Sequence, residues 1–222
     1  MTASIAHEIN QPLGAVVNSA SASLRWLDAQ KPEQARQSIS RVIAEGHRAS
    51  EIIRRIRALV KKAPSRKEWL DVNETIHEVI ALAHSELQRN GVAFETQLSD
   101  DLPLIFADRI QLQQVMLNLM MNAIEAMSGA DIGPRELLVR SGTNESRGII
   151  VSVHDSGPGL DPKSLEHLFE AFYTTKPHGL GMGLAICRSI IEAHSGRLWA
   201  TANAPHGAVF QFTLPIESEE GG

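Results

Sequence analysis

The sequence predicts an α+β protein in two parts: a helical hairpin that pairs with a second copy of itself, then a sandwich of helices on a mixed sheet. Three observations lead there. Apolar residues at helical spacing fill the first sixty positions, a Pro-Ser break follows, and the remaining elements mix strands and helices without the regular alternation of a doubly wound sheet.

In the first helix Ile5, Ile9, Leu13, Val16, Val17, Ala20, Leu24 and Leu27 recur at steps of three and four and mark one face. Lys31-Pro32 interrupts the pattern, and Pro32 suits the first turn of the next helix. There Ile39, Val42, Gly46, Ala49, Ile53, Ile56 and Val60 keep a seven-residue repeat, which Ile43, Ile52 and Leu59 widen. Two helices with so short a connection form an antiparallel hairpin. A lone hairpin leaves much of these stripes in water, so a dimeric four-helix bundle is expected, with a monomeric helical lid as the competing reading.

The expected division is residues 1–63 for the hairpin, 64–66 for a linker at Pro64-Ser65, 67–216 for the sandwich and 217–222 for a frayed acidic tail. Within the sandwich, Lys67–Val72 reads as a strand, and Asn73 as the cap of a helix running to about Gln88. Val92–Leu98 and Leu104–Ala107 read as strands, and Asp108 as the N-cap of a long helix through Met127. Strands follow at Glu136–Ser141 and Ile149–Val153. A helix near Gly183–His194 then precedes closing strands at Arg197–Thr201 and Val209–Leu214.

Of the 222 residues, 43% are hydrophobic and 21% charged, an ordinary globular balance. The net charge of −5 argues against a nucleic-acid surface. One cysteine, Cys187, cannot form an internal disulfide, which fits a reducing cytoplasm; inside an apolar helical run it reads as a core residue. No apolar run approaches the roughly 18–20 residues that cross a bilayer, so no membrane contact is expected of this chain, although a membrane-anchored parent stays compatible with it.

Five short boxes stand in order along the chain. They are His7-Glu8-Ile9-Asn10-Gln11-Pro12-Leu13, Asn118 to Ala126 with Asn122 and Glu125, Asp155-Ser156-Gly157-Pro158-Gly159, Phe169 to Lys176, and Gly179-Leu180-Gly181-Met182-Gly183. Taken together they resemble the phosphoacceptor and catalytic core of bacterial sensor histidine kinases. The Asn-Gln-Pro form of the first box is similar to the nitrogen-regulatory and oxygen-sensing branch. The resemblance spans essentially the whole chain. It implies a helical-hairpin dimer followed by the ATP-binding sandwich shared with gyrase and heat-shock chaperones. It also implies a response-regulator receiver as partner, and a sensor upstream of Met1, which stands only six residues before His7.

On that resemblance His7 is the nucleophile, since a neutral imidazole attacks phosphorus directly. Glu8 is its acid-base partner, although adjacent helical residues do not share a face and the ring must swing toward the carboxylate. Gln11, one turn beyond, stands where the family often carries Thr or Asn to orient water for dephosphorylating the regulator. Pro12 removes a backbone bond to Glu8 and kinks the helix, as a mechanistic device or as a tolerated packing feature.

Asn122 matches the family's Mg²⁺ ligand, and a neutral amide oxygen suits an ion that keeps waters and takes phosphate oxygens. Asn118, one turn earlier, stands where hydrolytic relatives carry a water-activating glutamate. The resemblance gives Asp155 the adenine amino group, with Gly157 and Gly159 letting the backbone approach the base. Taken alone, the same residues make an ordinary turn. Gly179, Gly181 and Gly183 open a helix whose free N–H groups favour phosphate, without the P-loop or Rossmann spacing. Tyr173–His178 reads as a lid over ATP in which Lys176 meets the terminal phosphates, with Phe169 and Phe172 anchoring it in the core. Competing readings are an ATP hydrolase of the gyrase-chaperone class, a non-catalytic dimeric scaffold and a predominantly phosphatase protein.

Overall fold

The computed structural model describes the backbone of residues 2–60, 66–129, 133–144, 148–174 and 181–216, and the side chains of 13–46, 66–129, 133–144, 148–161, 164–174 and 181–216. The chain divides into two compact units, Met1–Ala63 and Pro64–Gly222.

The first unit is the pair α1 (Thr2–Asp28) and α2 (Pro32–Val60), packed along each other. The turn between them closes α1 by two backbone bonds, Gln30 N–H to the Leu27 carbonyl at 2.9 Å and Lys31 N–H to the Trp26 carbonyl at 2.8 Å. Gln30 takes the left-handed position at φ 53° that this closure requires. The Lys31 ammonium lies 5.3 Å from the centre of the Trp26 ring, a cation–π contact across the same turn. Pro32 is the first residue of α2, where its missing N–H costs nothing. Among the described hairpin side chains only Ser23 and Ala35 are buried; Val17, Leu24, Leu27, Ile39 and Ile43 all stay exposed.

The second unit runs β1 (Glu68–Leu70), α3 (Val72–Arg89), β2 (Ala93–Leu98), β3 (Ile105–Ala107), α4 (Arg109–Ser128), β4 (Glu136–Thr143), β5 (Gly148–Asp155), α5 (Pro162–Leu165), α6 (Gly183–Ala193), β6 (Arg197–Ala202) and β7 (Ala208–Pro215). Five strands form one sheet in the order β2-β4-β5-β7-β6, with β2 and β4 parallel and the other neighbours antiparallel. β1 and β3 pair separately. α4 is apolar on nearly every side because it packs against α3, α6 and the sheet. Its Val115, Leu119 and Met120 meet Val139, Val151, Val153 and Phe212 from the strands in one core. One sheet face is therefore covered by helices, as the sequence predicts.

Two local expectations are corrected. Asp71, not Asn73, caps α3: its carboxylate accepts from Asn73 N–H at 2.7 Å and Glu74 N–H at 3.4 Å. Asn73 sits inside the helix and reaches outward instead, its Nδ2 donating to the Ser99 carbonyl at 2.8 Å and its Oδ1 accepting from Ser141 at 2.7 Å. Val72 accordingly begins α3 and does not end the preceding strand, which spans Glu68–Leu70. The short α5 is not anticipated by the sequence pattern. Asp108 does cap α4, accepting from Gln111 N–H at 3.1 Å. No helix among the described residues is long and apolar enough to cross a membrane.

Candidate functional site

The site grows from three places that the fold fixes separately: the middle of α4, the end of β5 and the start of α6. Asp155 is the last residue of β5 and is only 3% exposed. Its Oδ1 accepts from Gly157 N–H at 2.9 Å and from Ala208 N–H at 3.2 Å. Oδ2 accepts nothing from the described residues; no sealed polar side-chain atom there lacks a partner, so this oxygen opens to solvent. Burial pushes the Asp155 carboxyl above the ordinary carboxylate value, and the two N–H bonds oppose that rise.

Asp155 is also held from the other side, by a residue that no sequence motif marks. Asn203 Nδ2 donates to the Asp155 carbonyl at 2.9 Å, and Asn203 N–H closes the β6–β7 turn on the Gly207 carbonyl at 2.9 Å. Gly207 has φ 101°, and a Cβ there would collide with the Asp155 carbonyl oxygen. The available signal was the turn composition Ala204-Pro205-His206-Gly207 between two apolar alternations. Gly157 and Gly159 both lie against this corner. A Cβ on Gly157 would come within 2.9 Å of Asp155 Oδ1, and Gly159 has φ 85° beside the Gly207 carbonyl.

Asn118 and Asn122 are half-buried, one turn apart on α4. The Asn118 amide lies against the first residue of α6: a Cβ on Gly183 would stand 2.9 Å from both Nδ2 and Oδ1. Nδ2 donates to Cys187 Sγ at 3.3 Å. Gly183 therefore does more than free the backbone; it makes room for the Asn118 side chain. The N-cap of α6 is Met182, which offers no side-chain bond, and no acidic residue stands in the first turn. The first N–H groups of α6 are uncapped, with the helix dipole behind them, which favours an anion.

Gly181, at φ 61°, packs so closely on the Phe172–Tyr173 backbone that any Cβ would clash, and its carbonyl accepts from Phe172 N–H at 2.9 Å. That bond joins residues nine apart in sequence, and the stretch between them includes residues 175–180. Lys176 and Gly179 belong to it and lie outside the described residues. Phe169 packs against the core as expected. Phe172 does not join that core; it is half-buried at φ 73°, its backbone engaged with Gly181. His7, Glu8 and Gln11 lie on α1, and their side chains are outside the described ones.

A groove of about 550 Å³ starts at Asp155 and Asn203 and includes Glu95, Leu138, Arg140, His154 and Val209 in its lining. Paired registers put Glu95, Leu138, His154 and Val209 in one row on the sheet face that the helices leave open. That is not the face carrying Asn118 and α6. Burial, with Arg140 adding to it, pushes the His154 imidazole below its ordinary value.

No three His, Cys, Asp or Glu side chains among the described residues gather as an all-protein metal cage. The donors present at α4 are neutral amides, which fit a Mg²⁺ ion that brings most of its ligands as water and phosphate. Fold and site together define a nucleotide-binding α/β sandwich preceded by a helical hairpin.

Comparison with known proteins agrees on both parts. Residues 107–218 match the model of the histidine kinase-, DNA gyrase B- and HSP90-like ATPases, and residues 1–64 match the His Kinase A (phospho-acceptor) domain. The chain belongs to this ATPase family, with the phospho-acceptor match of histidine kinases ahead of it. It is 39% identical over 215 residues to the sensor histidine kinase TmoS of Ectopseudomonas mendocina, covering 96% of this chain and 22% of TmoS. It is 40% identical over 223 residues to the sensor protein FixL of Bradyrhizobium diazoefficiens, covering 99% of this chain and 44% of FixL. Less than half the length of each relative is thus spanned. Among solved structures, histidine kinase ThkA in complex with the response regulator TrrA matches with a TM-score of 0.79 at 28% identity, covering all of this chain and 62% of ThkA.

Proposed function

We infer that the chain binds ATP in residues 67–216, autophosphorylates His7 and passes the phosphoryl group to an aspartate of a separate response regulator. The observation that carries this is Asn118. Beside the uncapped start of α6, where the γ-phosphate end of a nucleotide is favoured, the described residues offer an amide held by a thiol, with no acidic residue in the first turn to activate water. An ATP site without a hydrolytic base joined to a phosphoacceptor domain is arranged for transfer to a side chain.

In this reading the open Oδ2 of Asp155 accepts from the adenine amino group, while Gly157 and Gly159 admit the base. The N–H groups of α6 receive phosphate oxygens, Lys176 and Gly179 close over them, and the Asn122 oxygen holds the metal. Mg²⁺, when bound, neutralises phosphate charge during transfer. The neutral His7 imidazole forms the new N–P bond, the β–γ bridging oxygen leaves with ADP, and Glu8 accepts the ring proton. Gln11, four residues beyond His7 on α1, orients water in a separate reaction, hydrolysis of the regulator's aspartyl phosphate to inorganic phosphate. The exposed apolar residues Val17, Leu24, Leu27, Ile39 and Ile43 support a homodimer that buries them in a four-helix bundle. The phosphoacceptor match and the ThkA–TrrA likeness support the receiver partner.

The test is incubation with γ-labelled ATP and Mg²⁺, beside His7→Ala and Asn122→Ala variants. Acid-labile, alkali-stable label on the parent alone is the expected result. Label persisting on His7→Ala moves the nucleophile elsewhere, and rapid phosphate release by that variant returns the chain to the hydrolases.

A further inference from the structure

We propose that Cys187 is a positioning residue for the nucleotide: its thiol fixes which way round the Asn118 amide sits, so that the carbonyl oxygen, and not the amide nitrogen, is offered to bound Mg-ATP. The proposal rests on the ATP-site reading above and extends it to a side chain that the sequence marks only as core.

The geometry is a two-by-two contact between helices. On α6, Gly183 and Cys187 are four residues apart and share a face; on α4, Val115 and Asn118 are three apart and share another. Gly183 supplies the space for the Asn118 amide, and Cys187 supplies the bond. An amide turned end for end has almost the same shape, so packing alone does not choose its orientation. Proton counting does. The thiol is fully buried, and burial raises it to about 12, so it carries its proton. That single proton faces the Val115 carbonyl at 3.8 Å. The sulfur then has only a lone pair for Asn118, and a lone pair takes an N–H donor. Nδ2 is thereby committed.

Oδ1 of Asn118 has no partner among the described residues and is not sealed from solvent. It is the polar atom left to the site, and it is an acceptor. Beside the N–H groups of α6, which serve phosphate, an acceptor serves the water shell of the magnesium ion. A reversed amide would set a second donor there and leave the sulfur facing a carbonyl oxygen, with its one proton already committed.

The test is Mg-ATP affinity by calorimetry on the full chain, with thermal unfolding run in parallel. Cys187→Val removes the acceptor while keeping an apolar side chain of similar volume; Cys187→Ser keeps both acceptor and donor. Expected is about a tenfold weaker Kd for Cys187→Val, near 1.4 kcal/mol, and recovery to within about threefold in Cys187→Ser. In an Asn118→Ala background Cys187→Val should add less than about twofold, because the group it orients is gone. Unchanged affinity in Cys187→Val, losses that simply add in the double variant, or a loss in both variants that follows the unfolding midpoint would each overturn the proposal. The two readings separate cleanly. Coupled affinities without label on His7 refute the kinase reading alone, and His7 labelling with uncoupled affinities refutes this one alone.

Discussion

The backbone N–H of Asp108 donates to Nε2 of His194 at 3.0 Å, a buried bond between residues 86 apart in sequence. The other ring nitrogen, Nδ1, lies 2.8 Å from the Ile190 carbonyl and must donate to it, so the neutral ring with its proton on Nδ1 fills both roles. Asp108 itself caps α4 with Oδ1 and receives Arg66 N–H on Oδ2 at 3.0 Å. One residue thus gathers the segment leading into β1, the start of α4 and the end of α6.

Replacing His194 by Ala should therefore leave a buried N–H without a partner and destabilise the second unit by about 1–3 kcal/mol. His194→Gln, whose amide oxygen can still accept, should recover part of that. Urea unfolding followed by circular dichroism measures both; equal losses in the two variants would mean that the bond to Asp108 contributes nothing.

Asp155 gives a pH prediction with a definite sign. Its folded-state value lies above the ordinary carboxylate value because burial dominates, so ionising it favours the unfolded chain. The stabilisation belongs to the protonated form: it is full below about pH 4 and is lost as pH rises through the folded value. Asp155→Asn keeps an oxygen for Gly157 and Ala208 N–H but does not ionise. Its stability relative to the parent should therefore rise between about pH 3 and pH 7, while its affinity for ATP falls. A flat stability difference across that range contradicts the assignment.

Gly207 and Gly91 make a matched pair. Both have positive φ, at 101° and 61°, yet a Cβ on Gly91 meets nothing within 4 Å, whereas one on Gly207 strikes the Asp155 carbonyl. Gly91→Ala should cost only the left-handed penalty, about 1–2 kcal/mol, and leave ATP affinity unchanged. Gly207→Ala should cost more and also weaken ATP, because the corner that holds Asp155 must open. Calorimetry and unfolding on the two variants decide this, and a nucleotide defect in Gly91→Ala would count against it.

What the sequence disclosed, and what it withheld, follows contact range. Asp108 was legible as a cap because its bond to Gln111 spans three residues and repeats a known pattern. Asn73 misled for the same reason turned round. Asp71 and Asn73 both carry capping oxygens, and only the distant partners Ser99 and Ser141 show why Asn73 points elsewhere. The glycine boxes announced a close approach of backbone, but not that Gly183 makes room for Asn118 or that Gly181 seats the Phe172–Tyr173 strap. Asn203 and Gly207 were invisible as site residues, since their importance lies in touching a carbonyl 48 and 52 residues away. Cys187 was rightly read as buried. Its bond to Asn118 requires knowing how α4 and α6 meet.

The β6–β7 corner also sets an order of birth. Asp155 receives its bond from Ala208 only after 53 further residues have been made, which at ribosomal speeds of about 5–20 residues per second is a delay of roughly 3–10 s. Throughout that interval the helical hairpin is already translated. The corner that holds Asp155 is thus completed only as β7 is made, long after both helices of the hairpin.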